Sequence, residues 1–429
     1  MVVRGLIFIY IFSFSITGFA QTEAQKDSLM QLEKQYRQKA AGLLNYDSMR
    51  QVIFEMERTR AKERLKATDI LNRQVENLLL SNLALEKLPK HISEFTNLKR
   101  LELQGNRLKT IPKKVLKNVK YLDISENPVN GQRFRFKRNK SITYLKIDKS
   151  QLSHLPRSIK KLKALHEISI QENHFTTLPK RASKLKNLHT VDLSINPINP
   201  RQKLLKANDN ISTIILNKCV LKSFPVFLLE MPNLENIQLN RNKIPSLPED
   251  IDVFVNLTRI TAYINEIEAI PPAFYKLEKL EIADFYFNKI KVVAPEISQM
   301  KNLNILYLSN NELYSLPEEI GELQNLEMLY LHHNKLSYLP SSLSKMKNLE
   351  VLHINHNRFQ EFPIQILSLK NLKDLDFSNN DITDLPYEIT ELDKLYLLFI
   401  QVNPYDEDAK ESLESMIEFY KDKEISFNY

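Results

Sequence analysis

Apolar and polar residues follow a pattern along most of this chain that restarts, from Val119 onward, every 23 residues. A clear unit, residues 326–348, reads LEMLYLHHNKLSYLPSSLSKMKN, with leucine at its first, fourth and sixth positions. The fifteen units begin at residues 75, 98, 119, 142, 165, 188, 211, 234, 257, 280, 303, 326, 349, 372 and 395. A period of this size predicts a solenoid, because one unit alone cannot bury its own apolar side.

Each unit opens with an LxxLxL pattern, which predicts a short strand. Its second and third leucines lie two residues apart and point inward, and the residues between them point outward. Strands of successive units are expected to pair in parallel, with the rest of each unit covering their inner face. Eleven units then have a proline at the LP step, such as Pro179, Pro317 and Pro386, which suits the start of a short extended or 3-10 segment.

Asparagine occupies the ninth position in twelve of the fifteen units. These residues are Asn106, Asn127, Asn173, Asn196, Asn242, Asn265, Asn288, Asn311, Asn334, Asn357, Asn380 and Asn403. A buried amide there is expected to satisfy the backbone groups freed by the bend, in its own unit and in the next unit. The exceptions are Leu83, Ser150 and Cys219, and we interpret Cys219 as a buried structural residue and not as a reactive thiol.

The units resemble leucine-rich repeats of the LxxLxLxxNxLxxLPxxIxxLxx type, as found in small-GTPase-binding scaffolds and in many bacterial proteins. The resemblance covers residues 75–405. It implies an α/β leucine-rich-repeat solenoid with a curved parallel β-sheet on the concave face. Short helical or 3-10 segments are expected on the convex face, with helical caps at both ends. The resemblance is specific for the fold and weak for function, because members of this family bind very different partners.

The sequence outside the repeats predicts three further segments. Residues 1–20 read as a signal peptide, with Arg4 before an apolar run and Gly18-Phe19-Ala20 as the cleavage pattern. Retention of this segment as an uncleaved anchor is the alternative. Residues 21–74 predict an N-terminal helical cap or stalk, with a coiled-coil dimerisation segment as the alternative, and 406–429 a C-terminal capping helix and tail. We therefore expect a bacterial, exported protein that is secreted, periplasmic or on the cell surface.

The charge of the chain excludes little. The formal net charge is +8, from 60 basic and 52 acidic residues, which is too dilute to indicate nucleic acid. One dense basic stretch, 133–140, carries five basic residues interleaved with Phe134 and Phe136. It could bind an anionic polymer. Alternatively, its phenylalanines fill the core while the basic residues face water.

The outward strand residues define a candidate binding surface. They lie two, four, six and seven residues after each unit start, and in the N-terminal half they are mostly polar and mixed in sign, as at Arg100, Glu102 and Asp123. From residue 257 onward they become aromatic and imidazole. The candidate partner-binding residues are Tyr263, Tyr286, Phe287, Tyr307, Met328, Tyr330, His332, His333, His353 and His356.

An apolar column runs beside these residues, formed by Ile282, Ile305, Met328 and Val351. Because neighbouring strands are about 4.8 Å apart, all of these side chains are expected to form one patch. An exposed patch of apolar and aromatic side chains is typical of an interaction site, and tyrosine suits such a site. The alternative is that the tyrosines and histidines merely stack on one another along the sheet.

The sequence contains none of the usual catalytic motifs. There is no glycine-rich phosphate loop, no GxSxG, no HExxH and no cysteine nucleophile with a partner histidine, so neither an enzyme nor a cofactor is predicted. The histidines do not predict a metal site, because parallel side chains on a strand ladder suit two ligands better than four. They could sense pH, since several imidazoles would become charged together below about pH 6.5.

We therefore predict a non-enzymatic, exported binding module that holds a protein partner, or a glycan, on its concave face. The tyrosine- and histidine-rich C-terminal half is the expected contact region. Nucleic acid and an integral membrane span are not predicted, and the sequence does not fix an oligomeric state. The alternative function is a structural or assembly component of the cell envelope, anchored through the N-terminal helices. A hydrolase that uses the histidines is a third hypothesis.

Overall fold

The structure is a computed structural model that describes residues 51, 52, 55, 56, 59, 62, 74–129, 135–203, 208–421 and 426–428. The predicted signal peptide, most of the predicted N-terminal helical region, Arg133 and Phe134 lie outside the described residues. The six described residues between 51 and 62 are helical, and the side chains of Val52 and Met56 are buried. Among all described residues, no helix is both long enough and apolar enough to cross a membrane.

The chain divides into two compact units. The first contains residues 1–150 and 156–165, and the second contains residues 151–155 and 166–429. The first unit has four parallel strands in its described part, β1 (Asn77–Leu79), β2 (Arg100–Glu102), β3 (Tyr121–Asp123) and β4 (Tyr144–Lys146). Its 3-10 segments are Lys90–Glu94 and Arg157–Lys161.

The second unit repeats the same construction over a longer stretch. Its described strands, all parallel and paired in sequence order, are β5 (Glu167–Ser169), β6 (Thr190–Asp192), β7 (Thr213–Ile215), β8 (Asn236–Gln238), β9 (Arg259–Thr261), β10 (Ile282–Asp284), β11 (Ile305–Tyr307), β12 (Met328–Tyr330), β13 (Val351–His353), β14 (Asp374–Asp376), β15 (Leu397–Phe399) and β16 (Ser426–Asn428). Its 3-10 segments are Lys180–Lys184, Val226–Glu230, Ile251–Val253, Pro272–Lys276, Pro295–Gln299, Glu318–Glu322, Ser341–Lys345, Ile364–Ser368 and Tyr387–Glu391. One α-helix, Glu407–Lys421, follows the last repeat.

Burial within the repeats confirms the predicted strand pattern and the solenoid fold of each unit. In β12, Leu329 is fully buried whereas Met328 and Tyr330 on either side are half-buried, and Leu331 is again fully buried. The buried leucines of successive strands lie in register, as Leu306 does with Leu329. The leucines therefore form the core, and every second strand residue is left on the opposite face, which we call the strand face.

The asparagines of the ninth position connect each repeat to the preceding repeat. Asn288 Nδ2 donates to the carbonyl of Phe285 in its own repeat and to that of Ala262 in the preceding repeat, both at 3.0 Å. Its Oδ1 accepts the N–H of Ile267, also in the preceding repeat, at 3.0 Å. The prediction that the amide bonds to its own repeat was right, but the prediction that it bonds to the next repeat was wrong. The carbonyl at the sixth position of each repeat points toward the following repeat, whose strand has already ended. The asparagine of the following repeat therefore donates back to this carbonyl.

The residue before each of these positions adopts a left-handed conformation. All fifteen eighth positions have φ between 50° and 66°, including Gly105, Ile195, Phe287 and Val402. The three repeats without a ninth-position asparagine have a second left-handed residue at the tenth position, namely Ala84, Gln151 and Val220. The corner is thus a property of the repeat and not of the residue type that occupies it.

Cys219 takes the place of the asparagine in its unit. Its Sγ lies 3.4 Å from the carbonyl oxygen of Leu193, the same kind of backbone acceptor that the asparagines use in the preceding unit. The side chain is buried, and burial raises the pKa of the thiol to about 11. A thiol that stays protonated at neutral pH is a poor nucleophile, which agrees with a structural role.

The described part of the basic stretch alternates between core and solvent. Phe136 is only 2% exposed, whereas Arg135, Lys137 and Arg138 are exposed. This is the arrangement expected if the aromatic residue fills the core.

A C-terminal helix is present as predicted, and a further strand follows it. Asp406 accepts the N–H of Ala409 at 2.8 Å, which satisfies one of the free donors at the helix start. The helix buries Ala409, Met416 and Tyr420. Strand β16 then pairs in parallel with β15, although its sequence has no LxxLxL pattern.

Candidate partner-binding surface

Two stacked tyrosines form the centre of the candidate surface. Tyr307 on β11 and Tyr330 on β12 pair in register, and their rings lie 4.6 Å apart at an interplanar angle of 8°. Residues in register on neighbouring strands are about 4.8 Å apart, which is close to a ring-stacking distance. Both side chains are half-buried on the strand face, and this burial raises the pKa of each hydroxyl. Neither ring points into the core.

His353 on β13 continues the row formed by these tyrosines. Its ring meets Tyr330 edge-on, with centroids 5.1 Å apart and an angle of 89°. Its Nε2 lies 3.1 Å from Asp374 Oδ1, but this approach is not aligned as a hydrogen bond. Among the described residues, neither of these buried atoms has a hydrogen-bond partner.

His332 is the most strongly perturbed histidine of the surface. It is held by the Ser309 hydroxyl, whose Oγ lies 2.8 Å from Nδ1. Burial, assisted by His353 and His333, lowers the pKa of His332 to about 4. The imidazole is therefore neutral well below pH 6.5, which does not fit the expectation that several imidazoles would charge together just below that pH.

His333 and His356 form a second stack at the edge of the strand face. Both occupy left-handed eighth positions and are exposed. Their rings lie 4.0 Å apart at 10°, and burial together with His356 lowers the pKa of His333. His332 joins this pair to the tyrosines, because its ring lies 5.7 Å from that of His333 and 6.1 Å from that of His353.

Tyr286 and Phe287 extend the surface toward β10. Tyr286 lies 6.4 Å from His332 and 6.1 Å from Phe287, measured between ring centroids. Phe287 is 53% exposed, which is unusual for a large apolar side chain and arises because it occupies the left-handed corner. Exposed aromatic area of this kind favours contact with another molecule.

The predicted apolar column lies beside the tyrosines. Ile282, Ile305, Met328 and Val351 are in register on four consecutive strands. The Tyr330 hydroxyl lies 3.8 Å from the Met328 sulfur, so the column and the stack are in contact.

Nine of the ten predicted residues are thus brought together. We call Tyr286, Phe287, Tyr307, Met328, Tyr330, His332, His333, His353 and His356 the tyrosine–histidine surface. The tenth, Tyr263, is half-buried on the preceding repeat and makes no ring pair with another described residue.

Sequence reasoning missed the carboxylates at both ends of the row. Asp284 pairs in register with Tyr307, and Asp376 pairs with His353. Burial raises the pKa of both aspartates. The same counting rule that identified the tyrosines places these aspartates four residues after their unit starts, so the signal was present in the sequence.

A second tyrosine stack on the first unit was also missed. Tyr121 on β3 and Tyr144 on β4 stack at 4.7 Å and 11°. The guanidinium carbon of Arg100 on β2 lies 3.9 Å from the Tyr121 ring centroid, and Arg100 Nη2 lies 2.7 Å from Glu102 Oε1. The prediction that this half presents mostly polar residues overlooked these two rings, which lie two residues after their unit starts.

Metal coordination has no geometric support in the described part of the chain. There, no three or more histidine, cysteine, aspartate or glutamate side chains are grouped so that they could hold a metal ion.

Comparison with known proteins agrees with the fold. A sequence family described as a leucine-rich repeat region matches residues 288–418. The structure of a leucine-rich repeat protein from Leptospira interrogans is similar over 85% of this chain and 98% of that chain, with 26% identity and a TM-score of 0.68. This chain is a leucine-rich repeat protein.

Two further structures resemble this leucine-rich repeat protein in fold alone. A TDR receptor matches with 24% identity, covering 79% of this chain and 57% of that chain, with a TM-score of 0.53. The Toll–Spätzle complex of Drosophila matches with 19% identity, covering 70% of this chain and 47% of that chain, with a TM-score of 0.56. No curated protein matches the sequence. The family match and the Leptospira structure indicate no catalytic family.

Proposed function

We propose that this leucine-rich repeat protein is an exported, non-enzymatic binding module that holds a protein partner on its tyrosine–histidine surface. The single observation that carries the proposal is the Tyr307–Tyr330 stack, which remains half-exposed on the strand face next to the apolar column. Large rings with few torsions to freeze give contact area at a low entropic cost. Export is supported by the N-terminal sequence, in which Arg4 precedes an apolar run and a small-residue cleavage pattern.

A protein fits this surface better than a glycan does. The centre of the surface combines the apolar column with aromatic rings, and Phe287 adds exposed apolar area at its edge. Protein interfaces concentrate their binding energy in such clusters of tyrosine and apolar residues. The carboxylates at the two ends then form a polar border around the aromatic centre.

The proposal can be tested by photo-crosslinking. A benzoylphenylalanine placed at Tyr286 should capture a protein from the native surroundings, whereas the same group at Tyr338, exposed but away from the surface, should not. The captured protein is then purified and titrated against the wild type and the Tyr307→Ala/Tyr330→Ala variant. Weaker binding by the variant, with an unchanged circular dichroism spectrum, is expected. Capture of a glycan in place of a protein, or equal affinity of the two forms, would contradict the proposal.

The alternative function, a structural component of the envelope, is separated by a second variant. A chain that lacks residues 21–74 should keep its affinity for the purified partner if the tyrosine–histidine surface is the binding site. The buried Val52 and Met56 favour a packed cap over a free stalk in this region. Loss of localisation with unchanged partner affinity would instead indicate an anchor.

A further inference from the structure

The two tyrosine stacks have the same ring geometry but lie at different positions of the repeat, and they differ in the residue that precedes them in their row. In the first unit, Arg100, Tyr121 and Tyr144 are in register at the third position of three consecutive repeats. In the second unit, Asp284, Tyr307 and Tyr330 are in register at the fifth position of three consecutive repeats. On the strand before the stack, an aspartate thus stands beside the first ring, whereas the other stack has an arginine there.

Arg100 shows what a cation does at this position. Its guanidinium carbon lies over the Tyr121 ring, 3.9 Å from the ring centroid. At the same time its Nε and Nη2 both lie 2.7 Å from Glu102 Oε1. Ring face and carboxylate together hold one guanidinium, an arrangement that suits its planar shape and its several donors.

The second stack has the ring and the carboxylate but no cation. Among the described residues, no guanidinium or ammonium lies over Tyr307 and none forms an ion pair with Asp284. Asp284 Oδ1 accepts the N–H of Tyr286 at 3.0 Å. Burial raises the pKa of Asp284, and a partly desolvated carboxylate of this kind gains from an incoming cation.

The neighbouring basic residues do not fill this position. The charge of the exposed Arg259 on β9 counteracts the rise in the pKa of Tyr307, but Arg259 lies in register with Ile282, two residues before Asp284, and among the described residues it neither covers the Tyr307 ring nor forms an ion pair with the aspartate. Lys373 is paired with Glu350 at 2.7 Å. Asp374 and Asp376 lie at the far end of the row, so the border of the stack is predominantly acidic.

We infer that the binding partner inserts an arginine whose guanidinium stacks on the open face of Tyr307 and pairs with Asp284. This inference rests on the proposed function, and it names the chemistry of the partner segment. Arginine is favoured over lysine because a planar guanidinium can cover the ring and donate to both carboxylate oxygens, whereas an ammonium is a strongly hydrated point charge.

The test uses a phage-displayed random peptide library selected on the full-length protein. Peptides retained by the wild type should carry arginine, and replacing that arginine with lysine or citrulline should weaken binding. Removal of one member of a buried, hydrogen-bonded charge pair typically costs about 30-fold or more in affinity, and Asp284→Asn should show a loss of this size. Asp284→Arg should abolish binding, because its own side chain would cover Tyr307 as Arg100 covers Tyr121.

Asp192→Asn is a matched control. Asp192 occupies the same position of an earlier repeat and accepts the N–H of Ser194 at 2.9 Å, as Asp284 accepts that of Tyr286. Its substitution should leave the affinity unchanged. Thermal unfolding of all three variants, measured by circular dichroism, separates loss of the site from loss of the fold.

The possible failures of this test are distinguishable. A selection that enriches no arginine-bearing peptide, or peptides indifferent to Asp284→Asn, would overturn the arginine inference. If peptides without arginine, or peptides indifferent to Asp284→Asn, still lose binding in the Tyr307→Ala/Tyr330→Ala variant, the proposed function stands although the arginine inference fails. Enriched peptides that bind this double variant as well as they bind the wild type would contradict the proposed function itself.

Discussion

The two tyrosine stacks of this protein are nearly identical in geometry and differ in what lies beside them. The Tyr121–Tyr144 rings are 4.7 Å apart and the Tyr307–Tyr330 rings are 4.6 Å apart. Arg100 covers the first stack from within the chain, whereas Asp284 leaves the second uncovered. The residue that precedes each stack in its row, Arg100 in one and Asp284 in the other, thus separates a stack with its own cation from the one that we propose accepts a partner.

The comparison also explains why a tyrosine pair alone is weak support for a binding site. A 23-residue repeat places identical side chains at stacking distance wherever two consecutive units carry them, so stacking by itself requires no ligand. What distinguishes the second stack is its surroundings. An apolar column, four clustered histidines and Asp284 adjoin it, and Asp284 forms no ion pair with any residue that the structure describes. The first stack, in contrast, has Arg100 as its own cation.

The largest expected effect is on partner affinity. Tyr307→Ala/Tyr330→Ala should weaken binding by about 100-fold or more, because aromatic residues at the centre of an interface each contribute about 2 kcal/mol or more. Tyr121→Ala/Tyr144→Ala is the matched control and should leave the affinity within about twofold of the wild type, since Arg100 already occupies that stack. Isothermal titration with the captured partner measures both. Equal losses in the two variants would remove the distinction between the stacks.

The next effect concerns the ninth-position asparagines, which hold the repeats together in both units. Asn288→Ala in the second unit and Asn127→Ala in the first should each lower the free energy of unfolding by about 1–3 kcal/mol, because backbone groups lose their partners. Asn127 donates to Leu103 and Ile124 and accepts from Leu108, which is the same set of contacts that Asn288 makes. Urea unfolding provides the measurement. A loss of stability in only one of the two variants would show that the asparagines of the two units are not equivalent.

A pH effect on stability should arise from the buried His332 and not from an exposed histidine. Since the pKa of His332 is lowered to about 4 in the folded state, the unfolded chain binds a proton first as the pH falls from about 6.5. The free energy of unfolding should therefore decrease between pH 6.5 and pH 4. His332→Asn should reduce this slope, and His174→Asn, at an exposed position, should not. An imidazole of His332 that titrates near 6.5 by NMR would contradict the account.

The smallest effect is at the left-handed corners. Val402 has φ of 60° and is 70% exposed. Its backbone is therefore strained, and its side chain buries little apolar area that could offset this strain. Val402→Asn should raise the free energy of unfolding by about 1 kcal/mol, because asparagine adopts the left-handed conformation at a lower cost than valine does. Asn82 and Asn379 occupy the equivalent corners of other repeats, and the reverse change Asn379→Val should be destabilising by a similar amount.

The repeat period was enough to predict much of the fold and the composition of the surface. Because the register between strands is fixed by the period, counting from each unit start places Tyr307, Tyr330 and His353 side by side, as observed. The same counting would have placed Tyr121 beside Tyr144 and Asp284 beside Tyr307. They were missed because the outward residues before residue 257 were interpreted by their charge alone, and those after it by their aromatic and imidazole rings alone.

Other features depend on interactions that the pattern does not contain. The direction of the asparagine contacts follows from which carbonyls remain unpaired at the strand ends, and this requires the three-dimensional ladder. The left-handed corners carry isoleucine, valine and phenylalanine as well as glycine, so residue type gives no signal there. Strand β16 lacks the LxxLxL pattern, and the low pKa of His332 arises from burial among other imidazoles.

Hydroxyl-radical footprinting of the free protein and of its complex is the most direct test of the central claim, that the Tyr307–Tyr330 stack is a docking surface and the Tyr121–Tyr144 stack is not. Mass spectrometry of the two strand segments reads out the labelling of each tyrosine pair in a single sample. We predict that partner binding protects Tyr307 and Tyr330 while the labelling of Tyr121 and Tyr144 stays the same. Unchanged labelling of Tyr307 and Tyr330 in the saturated complex would contradict the account.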